Sequence, residues 1–266
     1  MTSETCLVLS GKGGVGKTTV FSNVATSIAM MGKKTVIIDA DLAMANLGLI
    51  FGLQDLHITL HEVLAGKASI SEAIYAGPGG LEVVPCGDTL AGFQEADPAG
   101  LVEVIDYFQS RTEFIFIDGP VGLNEDIFLM LPHIDHVILI ATPDLASIAD
   151  TLKMKVIVES FGCRIKGIVM NRVDTMNLDE ITIMVKNTLE LDILSVIPND
   201  PKIKEAAMKM IPLVTHIPDS PASIAMTMLA ANIAGVEYTP PIRDAGWFQR
   251  LIGKIRKRGI ENYGPN

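Results

Sequence analysis

One segment near the start of the chain has the residue types and spacing needed to hold a phosphate group. Residues 11–18 match the pattern G-x-x-x-x-G-K-[ST], after a short apolar run and before a helical pattern. Glycines let backbone N–H groups turn inward around a phosphate, and the start of the following helix adds a favourable dipole. We therefore predict a nucleotide-binding loop formed by Gly11, Lys12, Gly13, Gly14, Val15, Gly16, Lys17, Thr18 and Thr19.

Two side chains of this loop have defined chemical tasks. Lys17 supplies a positive charge for the β- and γ-phosphates, and the hydroxyl of Thr18 is a ligand for Mg²⁺. A nucleoside triphosphate and Mg²⁺ are therefore the expected ligands, and the family resemblance given below implies that the nucleotide is ATP. Lys12 is a second lysine in the loop, which the general pattern does not require.

Carboxylates follow two other apolar runs. Asp39 and Asp41 stand at the end of the run 35–39, and Asp118 ends the run 114–118. A carboxylate at the C-terminal end of a strand beside a phosphate loop can hold a metal ion or orient a water molecule. Asp118 alone could equally be the N-cap of a helix.

The elements that must position these residues alternate along the chain. Short β-branched runs and longer helical patterns take turns, which is typical of βαβ units and a mainly parallel sheet. The predicted strands span residues 6–9, 35–39, 81–84, 114–118, 137–141, 165–171 and 193–198. The predicted helices span residues 17–31, 99–109, 145–161, 178–189, 202–208 and 223–234.

Composition limits the class of protein. The 266 residues are 48% hydrophobic and 20% charged, which allows a large core and excludes a disordered chain. The net charge of −10 argues against a general nucleic-acid binder. The three cysteines lie far apart, which argues against disulfides, a zinc site or a Cys-ligated iron–sulfur cluster and suits a reducing cytosol. No apolar run reaches the ~18 residues that span a bilayer.

The C-terminal segment differs from the rest of the chain. Two prolines at 240–241 favour a boundary between a domain at 1–238 and a linker with a tail at 239–266. Six basic residues and one acidic residue lie between 243 and 258. On a helix, five apolar side chains share an arc of about 140° that excludes most of the basic ones. We predict an amphipathic membrane-binding helix that uses Trp247, Phe248, Leu251, Ile252, Ile255, Lys254 and Lys257; packing on the domain or on a partner is the alternative.

The loop sequence Lys-Gly-Gly-x-Gly-Lys-Thr-Thr resembles the deviant Walker A motif of the ParA/MinD family of P-loop ATPases. The resemblance covers residues 5 to about 236, and the tail is similar to the membrane-targeting sequence of the MinD branch. It implies a three-layer α/β/α P-loop fold with a mainly parallel twisted sheet, followed by a C-terminal amphipathic helix. In that family the extra lysine, here Lys12, reaches the nucleotide of a partner subunit.

The resemblance also implies roles for individual residues. The implied catalytic residues are Lys12, Lys17, Asp41 and Asp118, with Asp41 orienting the attacking water. The implied metal-binding residues are Thr18, Asp39 and Asp118. The implied contacts to the base are Asn171, Arg172, Pro198 and Asp200. For these last residues, a cap at the end of a strand or an ordinary turn is the alternative.

The expected function is that of a MinD-like ATPase. It dimerises on binding ATP, binds an anionic membrane surface at the inner face of the cell membrane, recruits a protein partner and helps to position the division site. Four alternatives are a ParA-type DNA partition ATPase, a flagellar-number regulator of the same family, an iron–sulfur carrier and a metabolic P-loop ligase. The acidic body disfavours the first, and the absence of paired cysteines disfavours the iron–sulfur carrier.

Overall fold

The computed structural model describes residues 3–122, 124–174 and 178–240. The membrane-binding residues proposed above lie outside these ranges: Trp247, Phe248, Leu251, Ile252, Lys254, Ile255 and Lys257. The domain boundary at residue 238 and the amphipathic tail therefore stay predictions. Among the described helices, none combines the length and the apolar character that crossing a bilayer requires.

Within the described residues, eight strands form one sheet in the order β3-β4-β2-β5-β1-β6-β7-β8. The strands are β1 (Glu4–Ser10), β2 (Thr35–Asp39), β3 (Tyr75–Ala76), β4 (Glu82–Val84), β5 (Phe114–Val121), β6 (His136–Ala141), β7 (Ile165–Val173) and β8 (Ile193–Pro198). All neighbouring strands are parallel except the edge pair β3 and β4. The prediction of a mainly parallel sheet is confirmed.

Helices cover both faces of this sheet. The helices are α1 (Lys17–Met30), α2 (Leu47–Ile50), α3 (Leu60–Leu64), α4 (Leu90–Glu95), α5 (Leu101–Gln109), α6 (Glu125–Met130), α7 (Leu145–Ser160), α8 (Leu178–Leu189), α9 (Lys202–Met208), α10 (Leu213–His216) and α11 (Pro221–Ala234). Short 3₁₀ turns lie at Ile70–Ala73, Pro78–Gly80, Pro98–Gly100 and Leu131–His133.

Two hydrophobic cores lie between the sheet and the helices, one on each face of the sheet. Helices α1, α9, α10 and α11 pack on one face of the sheet, and helices α3, α5, α6, α7 and α8 pack on the other. Strand β1 contributes to both, because Leu7 and Leu9 enter one core while Cys6 and Val8 enter the other. This alternation explains why consecutive residues in the middle of β1 are apolar, as expected for a sheet covered on both faces. The predicted three-layer α/β/α arrangement is confirmed.

The differences from the predicted elements are local. Strand β3 was not predicted, because two residues are too few to show a period of two. Strand β5 continues from Asp118 to Val121 through a glycine and a proline, residues that normally end a strand. Helix α11 begins at Pro221 rather than at 223, because Pro is well suited to the first helical position. The short helices α2, α3, α4, α6 and α10 were also missed.

Candidate functional site

The predicted site residues meet at one edge of the sheet. Strands β1, β2, β5, β6, β7 and β8 run parallel, so their carboxyl ends lie on the same side. The phosphate loop follows β1, Asp39 ends β2, and Asp118 lies near the end of β5. Asn171 lies near the end of β7, and Pro198 ends β8. The edge of a parallel sheet is where α/β proteins commonly bind ligands.

The loop has a backbone that depends on its glycines. Gly14 and Gly16 have φ values of 75° and 92°, in the left-handed region that glycine adopts without strain. Gly16 immediately precedes α1, which begins at Lys17. A Cβ atom at Gly11 would lie 2.3 Å from the carbonyl carbon of Asp150 on α7. Gly11 therefore serves the close packing of the loop against α7.

Lys17 and Thr18 both contact Asp118. The Nζ of Lys17 lies 2.6 Å from Oδ1 of Asp118, and the Thr18 hydroxyl donates to Oδ2 at 2.5 Å. The side chains of Lys17 and Asp118 are 5% and 1% exposed. Asp118 lies inside β5, so the alternative of a helix N-cap is wrong. The three side chains form a compact polar group beneath the loop.

Lys12, the second lysine of the loop, pairs with a different carboxylate from Lys17. The Nζ of Lys12 lies 3.5 Å from Oδ1 of Asp144, and the two side chains are 47% and 48% exposed. Asp144 is also the N-cap of α7, since it accepts the N–H of Ser147 at 3.0 Å. Hydrogen bonds from the Thr142 hydroxyl and from Ser147 hold the pKa of Asp144 below its ordinary value. Sequence reasoning missed Asp144, although an Asp directly before a helical pattern is a common N-cap signal.

Asp39 organises the segment after β2. Its carboxylate accepts the N–H groups of Asp41 at 3.2 Å, Asn46 at 3.2 Å and Leu47 at 3.0 Å. Burial, and then the charge of Asp118 beside it on β5, raise the pKa of Asp39 to about 7. Asp39 therefore folds the segment 40–47, which we call the switch loop, around one carboxylate.

Asp41 is the one acidic residue of the switch loop. Its Oδ1 accepts the N–H of Met44 at 3.2 Å. Burial raises the pKa of Asp41, while the positive charge of Lys17 acts in the opposite direction. The carboxylate therefore lies in the electrostatic field of the lysine and of Asp118, as expected for a group that works beside the phosphate loop.

Asn171 on β7 binds the backbone of the phosphate loop. Its Nδ2 donates to the carbonyl of Val15 at 2.7 Å, and its Oδ1 accepts the N–H of Arg172 at 2.9 Å. A Cβ atom at Gly16 would lie 2.4 Å from the same Nδ2. Arg172 has a φ of 55°, which is unusual for a residue with a side chain.

An open cavity of about 320 Å³ lies beside the loop. Its lining residues are Lys12, Gly13, Gly14, Val15, Thr142, Pro143, Asp144 and Arg172. It is therefore bounded by the ends of β1, β6 and β7. Lys12 and Arg172 bring positive charge to this lining, and Asp144 brings one negative charge.

Asp200 has structural partners. Its Oδ1 accepts the N–H of Lys202 at the start of α9, at 2.9 Å. Its Oδ2 accepts the N–H of Ala222 at the start of α11, at 3.2 Å. The carboxylate thus joins the N-termini of two helices. The contact of Asp200 and Pro198 with a base stays a prediction.

The residues present fit a magnesium ion with a nucleoside triphosphate. The available donors are the Thr18 hydroxyl and the carboxylates of Asp118, Asp39 and Asp41, which are the hard oxygen ligands that Mg²⁺ prefers. In the part of the chain that the structure describes, no three His, Cys, Asp or Glu side chains form a metal-binding group by themselves.

Comparison with known proteins gives consistent matches. Residues 6–213 match the family model described as the CobQ/CobB/MinD/ParA nucleotide binding domain. An uncharacterized ATP-binding protein of Methanocaldococcus jannaschii is 39% identical over 236 residues, 89% of each chain. The septum site-determining protein MinD complexed with Mg-ADP from Pyrococcus horikoshii is 33% identical, with a TM-score of 0.81 over 87% of this chain and 96% of that one. A chain of the MinC:MinD cell division protein complex of Aquifex aeolicus is 26% identical, with a TM-score of 0.78 over 91% of this chain and 99% of that one.

Proposed function

Because the chain belongs to the CobQ/CobB/MinD/ParA nucleotide-binding family, and within it to the MinD branch of the P-loop ATPases, we propose that it is an ATP-dependent membrane switch. Two copies join face to face when they bind ATP, and the dimer attaches to an anionic membrane surface through its two C-terminal segments. Hydrolysis separates the copies and returns them to the cytoplasm. On the membrane the dimer recruits a protein partner and helps to position the cell-division site.

The observation that carries this proposal is the different environment of the two loop lysines. Lys17 is buried against Asp118, whereas Lys12 is about half exposed at the rim of the loop. An exposed ion pair such as that between Lys12 and Asp144 contributes about 0–1 kcal/mol, so Lys12 can leave it at little cost. An exposed cation beside the phosphate loop suits a role in neutralising the phosphates of a second subunit.

The other residues have separate tasks in this proposal. Lys17 and the loop N–H groups bind the phosphates. Asp41 orients the attacking water, and Asp39 holds Asp41 by accepting its N–H. Thr18, Asp118 and Asp39 are the protein groups for Mg²⁺, which when bound neutralises the charge of the phosphate oxygens. Asn171, Arg172, Pro198 and Asp200 lie on the side proposed to hold the base.

The membrane step depends on the tail, which lies outside the described residues. One amphipathic helix that must fold on binding gives marginal attachment to a membrane. Two tails on one dimer act together, because the first attachment raises the effective concentration of the second. ATP-dependent pairing is therefore sufficient to control attachment. Relatives named as septum site-determining proteins support the choice of division-site positioning as the cellular role.

The first test measures pairing by sedimentation velocity of the full chain. The Asp41→Ala variant keeps ATP intact, and we expect it to form a dimer with MgATP and a monomer with MgADP. Adding Lys12→Ala to this variant should abolish the dimer while nucleotide affinity stays within about threefold. Lys67→Ala, at an exposed lysine paired with Glu95, is the matched control and should leave the dimer intact. A chain that remains monomeric in saturating MgATP would refute the proposal.

The second test measures membrane attachment by cosedimentation with vesicles. We expect vesicles of phosphatidylcholine with phosphatidylglycerol to retain the MgATP dimer and to release the MgADP form. Deletion of residues 246–266 should leave the dimer intact and remove vesicle binding. Equal binding by the deleted chain would assign membrane attachment to another surface. A gel shift with plasmid DNA checks the expected absence of DNA binding.

A further inference from the structure

A buried histidine contacts the switch loop. His61 on α3 is 1% exposed, and its Nε2 lies 3.0 Å from the carbonyl oxygen of Leu42. A carbonyl only accepts, so Nε2 must carry the proton and donate it. Nδ1 is buried and has no hydrogen-bond partner in the part of the chain that the structure describes. The ring therefore makes one hydrogen bond, and it is to the loop that carries Asp41.

The carbonyl that His61 binds lies in the middle of a turn. The N–H of Met44 donates to the carbonyl of Asp41 at 3.1 Å, which makes residues 41–44 a β-turn with the Leu42–Ala43 peptide at its centre. A flip of this central peptide would turn the Leu42 carbonyl away from His61 and would require a positive φ at Ala43. Ala43 has no such φ in the structure. His61 thus holds the observed orientation of the central peptide.

The same turn fixes the side chain of Asp41. Its Oδ1 accepts the N–H of Met44, the residue that closes the turn. An opening of the turn, which the hydrogen bond from His61 to its central peptide opposes, would move this N–H and with it the carboxylate. The direction of Asp41 therefore depends on a hydrogen bond made by a residue 20 positions later in the sequence.

The residues packed around the imidazole ring of His61 restrict its position. A Cβ atom at Gly87 or at Gly92 would lie 2.9 Å from Nδ1, so side chains at these two positions would displace the ring. The Phe93 ring lies beside it, with 6.4 Å between centroids. At its start, α3 is fixed by a capping box between Thr59 and Glu62. These contacts hold the Nε2 donor in one place.

We infer that His61 is a positioning residue for ATP hydrolysis, which acts by holding the Asp41–Met44 turn through the carbonyl of Leu42. This inference rests on the proposed role of Asp41 in orienting water. A displacement of about 1 Å in a catalytic group can cost up to a hundredfold in rate, so loss of this hydrogen bond should lower kcat more than it changes KM. His61 touches no substrate in this inference.

Three variants separate positioning from mere packing. His61→Gln keeps a nitrogen donor at about the position of Nε2, while His61→Met fills the space without a donor. Thr112→Val is the matched control, since it removes another buried side-chain donor to a backbone carbonyl, that of Phe108 at 3.0 Å. Thr112 precedes β5 and therefore lies at the amino ends of the parallel strands, whereas the switch loop lies at their carboxyl ends.

Two measurements are needed. Hydrogen–deuterium exchange reports whether the switch loop is held in place without relying on activity, and ATP turnover reports whether that affects hydrolysis. Hydrogen–deuterium exchange of peptides covering residues 40–47 should be faster in His61→Met, close to wild type in His61→Gln, and unchanged in Thr112→Val. Steady-state ATP turnover should fall at least tenfold in kcat in His61→Met, with KM within threefold, and recover to within about threefold in His61→Gln. All variants are compared well below their melting temperatures.

Failure of the inference about His61 and failure of the proposed function give different results. Unchanged exchange in His61→Met, equal loss in the Met and Gln variants, or a loosened loop with wild-type kcat would each overturn the inference. Absence of ATP turnover in the wild type would instead refute the proposed function, and the exchange data would still report whether His61 holds the turn.

Discussion

Substitution of Gly11 by alanine tests how tightly the phosphate loop packs against α7. A methyl group there would lie 2.3 Å from the carbonyl carbon of Asp150 and 2.6 Å from the backbone nitrogen of Thr151. Because carbon atoms normally approach to about 3.5 Å, the two backbone segments must separate by roughly 1 Å. No flexible side chain can move instead. Overpacking of this kind costs about 1–3 kcal/mol of unfolding free energy.

The assay is thermal unfolding without nucleotide, so that changes in ligand affinity do not contribute. At about 2–4 °C per kcal/mol for a domain of this size, Gly11→Ala should lower Tm by roughly 2–12 °C. Gly13→Ala is the matched control in the same loop, because its methyl group would make an ordinary contact of 3.5 Å with Val121 and its φ is not in the left-handed region.

We expect the control to change Tm by less than about 2 °C. Equal melting temperatures for the two variants would show that the loop and α7 are not in close contact, and the reasoning would fail. A Gly11→Ala chain that does not fold, beside a stable Gly13→Ala chain, is the extreme form of the expected result.

Three further substitutions test buried or capping hydrogen bonds by urea unfolding. Asn23→Ala should lower stability by about 1–3 kcal/mol, because the N–H of Val214 loses its acceptor at 2.9 Å inside the core; an unchanged midpoint would contradict this. Asp200→Ala should cost a similar amount, because the N–H of Ala222 also loses its acceptor; a loss of nucleotide affinity without any loss of stability would favour the base-binding role. Asp144→Ala should cost about 1 kcal/mol and Asp144→Asn much less, since asparagine can still cap α7; equal losses would exclude the cap as the cause.

Much of the fold could be predicted from the sequence because its signals are local. The alternation of apolar runs and helical patterns predicted seven of the strands of the sheet, and all seven are present. The edge strand β3 and the short helices were missed, because a few residues do not establish a period. The continuation of β5 past Asp118 was missed for a different reason. Gly119 and Pro120 normally end a strand, but here neighbouring β1 keeps the backbone extended.

The candidate site could also be predicted in part, where its signals are local. The loop 11–18 is contiguous, so its spacing alone indicates a phosphate-binding backbone. Asp39 and Asp118 were found because each closes an apolar run, and Asp41 because it follows Asp39 by two residues. Parallel strands bring such ends together. Asp144 and His61 were not found as parts of the site. Each is an ordinary residue in its own segment, and its importance comes from a contact with a distant part of the chain.

The sequence by itself determined the family, the layered sheet and the identity of the phosphate loop, because motif spacing and hydrophobic periodicity are properties of neighbouring residues. Only the tertiary structure decided which polar groups are already paired. Asn171 donates to Val15, 156 positions away, and Lys12 reaches Asp144, 132 positions away. Sequence gives the donors and acceptors that a side chain carries, but their partners depend on the order in which strands join the sheet. That order is fixed by packing over the whole chain, so it cannot be deduced from any single segment.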